Sequence, residues 1–131
     1  MQTTPMRSLM AGLALLTIAG PVAAHHSFAG EYDQSRPLRI EGTVVRVDWR
    51  NPHVILTLAS MTTPGVASTW TFEMGAPRVL TERLGWPKDA LKPGDHIVVD
   101  GYYARNGGTQ AAAQFVTTAS GTRLRSVLPF R

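Results

Sequence analysis

Leu38 to Trp49 (LRIEGTVVRVDW) alternates apolar and polar side chains, but the alternation changes phase part-way along. Leu38 and Ile40 share one face, whereas Val45, Val47 and Trp49 fall on the opposite parity. Successive side chains of a strand point to opposite faces, so a phase change requires an inserted residue or a sharp bend. Gly42-Thr43 sits at the change, and a glycine there predicts the bulge or bend at that point. A long bent strand of this kind can take part in both halves of a small closed barrel.

The remaining elements follow from their punctuation. Arg50-Asn51-Pro52 interrupts the first strand, because proline cannot donate to a ladder. His53 to Ser60 alternates again, with Val54, Leu56 and Leu58 on one face. Thr63-Pro64-Gly65 has the order a type II turn favours, and Trp70, Phe72 and Met74 then mark the inner face of a third strand. Pro77 suits a first helical turn, Val79, Leu80 and Leu84 form a short apolar stripe, and Gly85 suits the position after the last turn. After the turn Lys92-Pro93-Gly94-Asp95, Ile97 and Val99 mark a fourth strand running towards Tyr103. Asn106-Gly107-Gly108 is a hairpin signal, and Ala111, Ala113 and Phe115 alternate in a fifth strand. Thr122 to Leu128 leaves room for a last strand. The order β-β-β-α-β-β predicts a mainly β protein. Its expected form is a small OB-like five-stranded barrel with one short helix between strands three and four.

The amino terminus sets the compartment. Met1 to Arg7 is short and basic, Leu9 to Ile18 is an apolar run, and Val22-Ala23-Ala24 offers small residues to a signal peptidase. The apolar run is about half of the roughly 20 residues that span a bilayer. These features predict a cleavable signal peptide over 1–24, an arm over 25–37 and the β domain over 38–131. The expected location is the periplasm, with no transmembrane segment after cleavage. The chain has no cysteine, which removes a disulfide framework and a lipoprotein anchor. The formal charge of +4 falls to about +3 when Arg7 leaves, and the basic residues are scattered singly. Scattered charge on an exported protein argues against nucleic acid as a partner.

Several short motifs then stand out in order. They are His25-His26-Ser27-Phe28-Ala29 with Glu31-Tyr32-Asp33, and Gly42-x-Val44-x-x-Val47-x-Trp49-x-Asn51-Pro52-His53. Leu84-Gly85-Trp86 and Gly94-Asp95-x-Ile97-x-Val99-x-Gly101 follow. Together they resemble a family of short exported bacterial proteins classed as a domain of unknown function. The resemblance covers nearly all of the chain after residue 24 and implies no established activity. His96 falls between the motif residues and draws no weight from it.

The candidate chemistry depends on the cleavage point. Cleavage after Ala24 makes His25 the amino-terminal residue, and its α-amine and ring Nδ1 can close a chelate on one metal ion. His26, or His53 from the Asn-Pro-His corner, would add a nitrogen. A planar or T-shaped set of nitrogens suits Cu(II), and metal binding displaces the remaining proton of an amine whose pKa lies near 8. The alternative for His25-His26 is a solvated end, and for His53 a strand-end imidazole bonded to a backbone carbonyl. Glu31, Asp33 and Glu41 are candidates to orient an imidazole, or else are solvated carboxylates that cap turns. Asp48 and Glu73 lie opposite the main apolar residues of their strands and read as surface charges. Trp49, Tyr102 and Tyr103 form a candidate ligand platform, because neighbouring strand residues cannot both face inward. Ser27 lacks a nucleophile elbow and an acid partner, which argues against a hydrolase.

The expected function is a non-enzymatic periplasmic binding module that holds copper through His25, His26 and His53. The alternative is an envelope protein that binds a peptide, glycan or partner protein through a barrel face, using Trp49 and Tyr102.

Overall fold

The computed structural model describes residues 28–127. The expected signal peptide over 1–24 and the histidines His25 and His26 lie outside the described residues, as does Leu128 at the expected end of the last strand. The described chain is mainly β. A four-residue helical turn, α1 (Phe28–Glu31), leads into β1 (Tyr32–Asp48), followed by β2 (Ile55–Thr63) and β3 (Val66–Glu73). A π-helical turn (Val79–Arg83) precedes β4 (His96–Ala104), β5 (Gln110–Thr117) and β6 (Arg123–Arg125). The strands lie in the order β3-β2-β1-β4-β5-β6, with antiparallel neighbours throughout. β3 also pairs in parallel with β5, through Thr71–Gln110, Phe72–Ala111 and Glu73–Ala112. Among the described residues no helix is long and apolar enough to cross a membrane.

The long first strand serves two partners. Its first part pairs with β4, from Pro37 opposite Tyr102 to Thr43 opposite His96, and its second part with β2, from Thr43 opposite Ala59 to Asp48 opposite Ile55. The phase change lies later than the glycine suggests. Val44 is buried in step with Leu38 and Ile40, and the register shifts between Val44 and Arg46. Val45 is therefore the inserted residue and is 50% exposed. Gly42 instead serves close packing of two backbones. A Cβ there would lie 2.3 Å from the carbonyl oxygen of Ala59, so only glycine permits this approach of β1 to β2. The segment expected as an arm up to Pro37 is also part of β1, which begins at Tyr32.

The fifth strand departs from simple alternation for the same reason. Ala111, Ala112 and Ala113 are all buried, and the β4–β5 register shifts between Asp100 and Gly101, leaving Gln114 as the extra residue. The shift turns Val116 inward in place of Phe115. Phe115 instead lies beneath the guanidinium groups of Arg123 and Arg125, whose carbons stand 4.1 and 4.6 Å from the ring centroid. Such cation–π contacts suit an aromatic ring that is only partly buried.

The inner faces close one main core. Val54, Leu56 and Leu58 from β2 and its approach meet Trp70, Phe72 and Met74 from β3 and its exit, as their alternation predicts. Leu80 from the π-helical turn and Trp86 cover one end, and the indole N–H of Trp86 donates to the Arg125 carbonyl at 2.7 Å. The turn is π-helical because the Leu84 N–H reaches back five residues to the Val79 carbonyl, at 3.0 Å. A second, smaller cluster sits on the outer face, where Tyr32, Ala104 and Ala112 pack with Phe28 and Tyr102.

Candidate functional site

The most distinctive polar arrangement forms where the start of β1 crosses the end of β3. Glu73 is the last residue of β3, and the parallel register sets it opposite Ala112 of β5. Ala112 belongs to the outer cluster with Tyr32, so this pairing carries Glu73 beneath the root of the amino-terminal segment. The Tyr32 hydroxyl donates to Glu73 Oε2. His53 Nδ1 lies against Glu73 Oε1 in a polar contact. One carboxylate thus ties a buried tyrosine to a surface histidine.

Backbone bonds hold His53 in place from the other side. The Val54 N–H donates to the Gly75 carbonyl at 3.1 Å, and the Met74 N–H donates to the Val54 carbonyl at 2.9 Å. The corner before it, Asn51-Pro52, has a cis peptide bond. The His53 side chain is 46% exposed and that of Glu73 24%. With Nδ1 against the carboxylate, Nε2 is the ring nitrogen left over for another partner. A carboxylate on one imidazole nitrogen is the usual means of orienting the other towards a metal.

Tyr32 is held in its neutral, protonated form. Burial, followed by the hydrogen bond to Glu73 and the negative charge of that carboxylate, pushes the phenol well above its ordinary value. Tyr32 therefore remains a donor at any physiological pH.

The amino-terminal segment is fastened to the same region. The Phe28 ring lies 4.9 Å from that of Tyr32 and 6.4 Å, edge-on, from that of Tyr102. The Arg105 Nε–H donates to the Ala29 carbonyl at 2.9 Å, and the Arg105 backbone N–H donates to the Glu31 carbonyl at 2.8 Å. Asp33 accepts from the Ser35 hydroxyl at 2.7 Å and from the Ser35 N–H at 3.1 Å. These bonds from Ser35, more than the Arg105 guanidinium 3.9 Å away, hold the Asp33 carboxyl below its usual range.

The other expected residues take separate positions. Trp49 and Tyr103 are partly buried and pack against the main core, and Arg36 lies over the Tyr103 ring at 4.8 Å. Tyr102 packs with Phe28 and Tyr32, and its hydroxyl donates to Gln114 Oε1 at 3.3 Å. Glu41 is far from His53 in the sheet and pairs with His96, at 2.8 Å. Among the described residues no group of three or more metal-binding side chains is assembled.

Glu73 is the residue that sequence reasoning missed. It reads as a surface charge, because it alternates with the inward Phe72 and Met74. The available signal is its isolation: from Val54 to Phe72 the chain has no charged side chain, and Glu73 ends that stretch.

The chain matches the family of unknown function DUF6152 over residues 13–113 and belongs to that family. No curated protein matches it.

Proposed function

We propose that the protein is an exported, non-enzymatic binding module that holds copper at a site built from His25, His26 and His53. In this reading residues 1–24 are a cleaved signal peptide, the mature chain starts at His25, and the location is the periplasm. The hydrogen-bonded circuit β1-β2-β3-β5-β4, closed by the parallel β3–β5 pairing, is then a small OB-like barrel that carries the site on its outer wall.

The observation that carries the copper reading is the shared carboxylate of Glu73. It orients the His53 imidazole and, through Tyr32, anchors the segment that leads back to the two remaining histidines. His25 is three residues before Phe28, so the intervening chain spans at most about 11 Å. In this reading the amino-terminal amine and the imidazoles of His25, His26 and His53 meet on one ion. Nitrogen donors of this kind favour Cu(II) over the other divalent first-row metals.

The rival reading, a barrel face that binds a peptide, glycan or protein through Trp49 and Tyr102, has less to stand on. Trp49 packs against the core and Tyr102 against Phe28 and Tyr32.

Copper titration of the processed protein tests the proposal. The double substitution His25→Ala with His53→Ala is expected to weaken the dissociation constant at least tenfold. An unchanged constant would end the copper reading, and so would an amino terminus other than His25 in protein recovered from the periplasm.

A further inference from the structure

A groove crosses the outer face of the sheet well away from His53. In-register pairing sets His96 of β4, Thr43 of β1, Ala59 of β2 and Thr69 of β3 side by side along its floor. Glu41 stands at the His96 end, and Met61, 72% exposed, stands on its wall. The groove encloses about 590 Å³, within the usual size of ligand sites.

The charge pattern selects the occupant. The carboxylates of Asp33, Asp48, Glu82 and Asp100 each have an arginine guanidinium within 4 Å, at 3.9, 2.9, 3.1 and 2.7 Å. Glu41 is paired only with an imidazole, and its side chain is 67% exposed. From Val54 to Phe72 no charged side chain competes with it, so one end of the groove is acidic and the other is uncharged and partly apolar. Four strands side by side span about 14 Å, the length of about four extended residues. Small floor residues let a peptide backbone come close to the sheet, and exposed hydroxyls of Thr43 and Thr69 can bond to it.

We propose that this groove binds an extended peptide segment of about four residues, with a lysine or arginine side chain seated at Glu41. The site goes beyond the copper reading and needs no metal. Amide NMR spectra of the processed protein in EDTA test it, with the blocked peptide Lys-Ala-Thr-Ala as probe and a counterpart carrying glutamate in place of lysine. Saturable shifts are expected at Thr43, Ala59, Thr69 and His96 with the lysine peptide alone. Glu41→Gln is expected to weaken that binding at least fivefold, and Ala59→Trp, which fills the floor, to remove it. The proposal is overturned by equal binding of the two peptides, by shifts confined elsewhere, by no shifts at millimolar peptide, or by unchanged affinity in the Glu41→Gln protein. Should Ala59→Trp not fold, Glu41→Gln decides alone.

Discussion

Among the described residues two histidine–carboxylate pairs form, and their settings differ. His96 and Glu41 face each other across β4 and β1 at 2.8 Å, with both side chains mostly exposed. His53 and Glu73 are more enclosed, and Glu73 has a second partner in the buried Tyr32. The first pair is weakened by water and by the freedom of both side chains. The second is part of a network in which losing one group leaves another buried and unpaired. The same two residue types therefore serve a solvent-facing groove in one place and a structural anchor in the other.

The enclosed pair should respond most to substitution. Glu73→Ala should destabilise the fold by about 2 kcal/mol, because the Tyr32 hydroxyl then remains buried without an acceptor. Urea unfolding measures this, and a loss no greater than that of Glu41→Gln would erase the distinction between the pairs. Tyr32→Phe removes the donor and keeps the ring packing with Phe28, so its cost should be nearer 1 kcal/mol. Faster amide exchange over Phe28 to Glu31 should accompany it if Tyr32 anchors that segment.

Alkaline pH separates the two settings again. Folding raises the Tyr32 pKa above the ordinary phenol value, so the folded protein holds this proton more tightly than the unfolded chain. That contribution is complete below about pH 10 and is lost as the pH rises beyond it. The wild-type protein should therefore lose stability above about pH 10 more steeply than Tyr32→Phe, and parallel curves would contradict the assignment. The smallest effect belongs to the exposed pair. Glu41→Gln should change stability by less than about 0.5 kcal/mol, because surface ion pairs contribute little.

Much of the fold is legible in single residues. The alternation of Val54, Leu56 and Leu58, and of Trp70, Phe72 and Met74, assigns both strands and their inward faces correctly. Pro64-Gly65 and Asn106-Gly107-Gly108 mark the two hairpins, and Pro77 with Gly85 brackets the single helical turn between β3 and β4. The bulges are less legible. Gly42 draws attention as the break in the first strand, yet the inserted residue is Val45, and the glycine serves a close approach to Ala59. Gln114 gives no signal at all, although it decides whether Phe115 or Val116 enters the core. Of the candidate site, His53 is visible from its rigid corner, whereas Glu73 is not.

What the amino-acid order settles unaided is what depends on neighbours a few residues apart: strand, turn and helix positions, and the inward parity of each regular strand. These are local because side-chain direction follows backbone period and turns follow the allowed angles of glycine and proline. Which residues meet is a property of the assembled sheet. Tyr32 and Glu73 are 41 positions apart, and they touch because β3 pairs with β5 beneath the start of β1. Register between distant strands is set by the packing of whole faces, and one inserted residue redirects every side chain after it. For that reason the partner of His53 had to come from the fold.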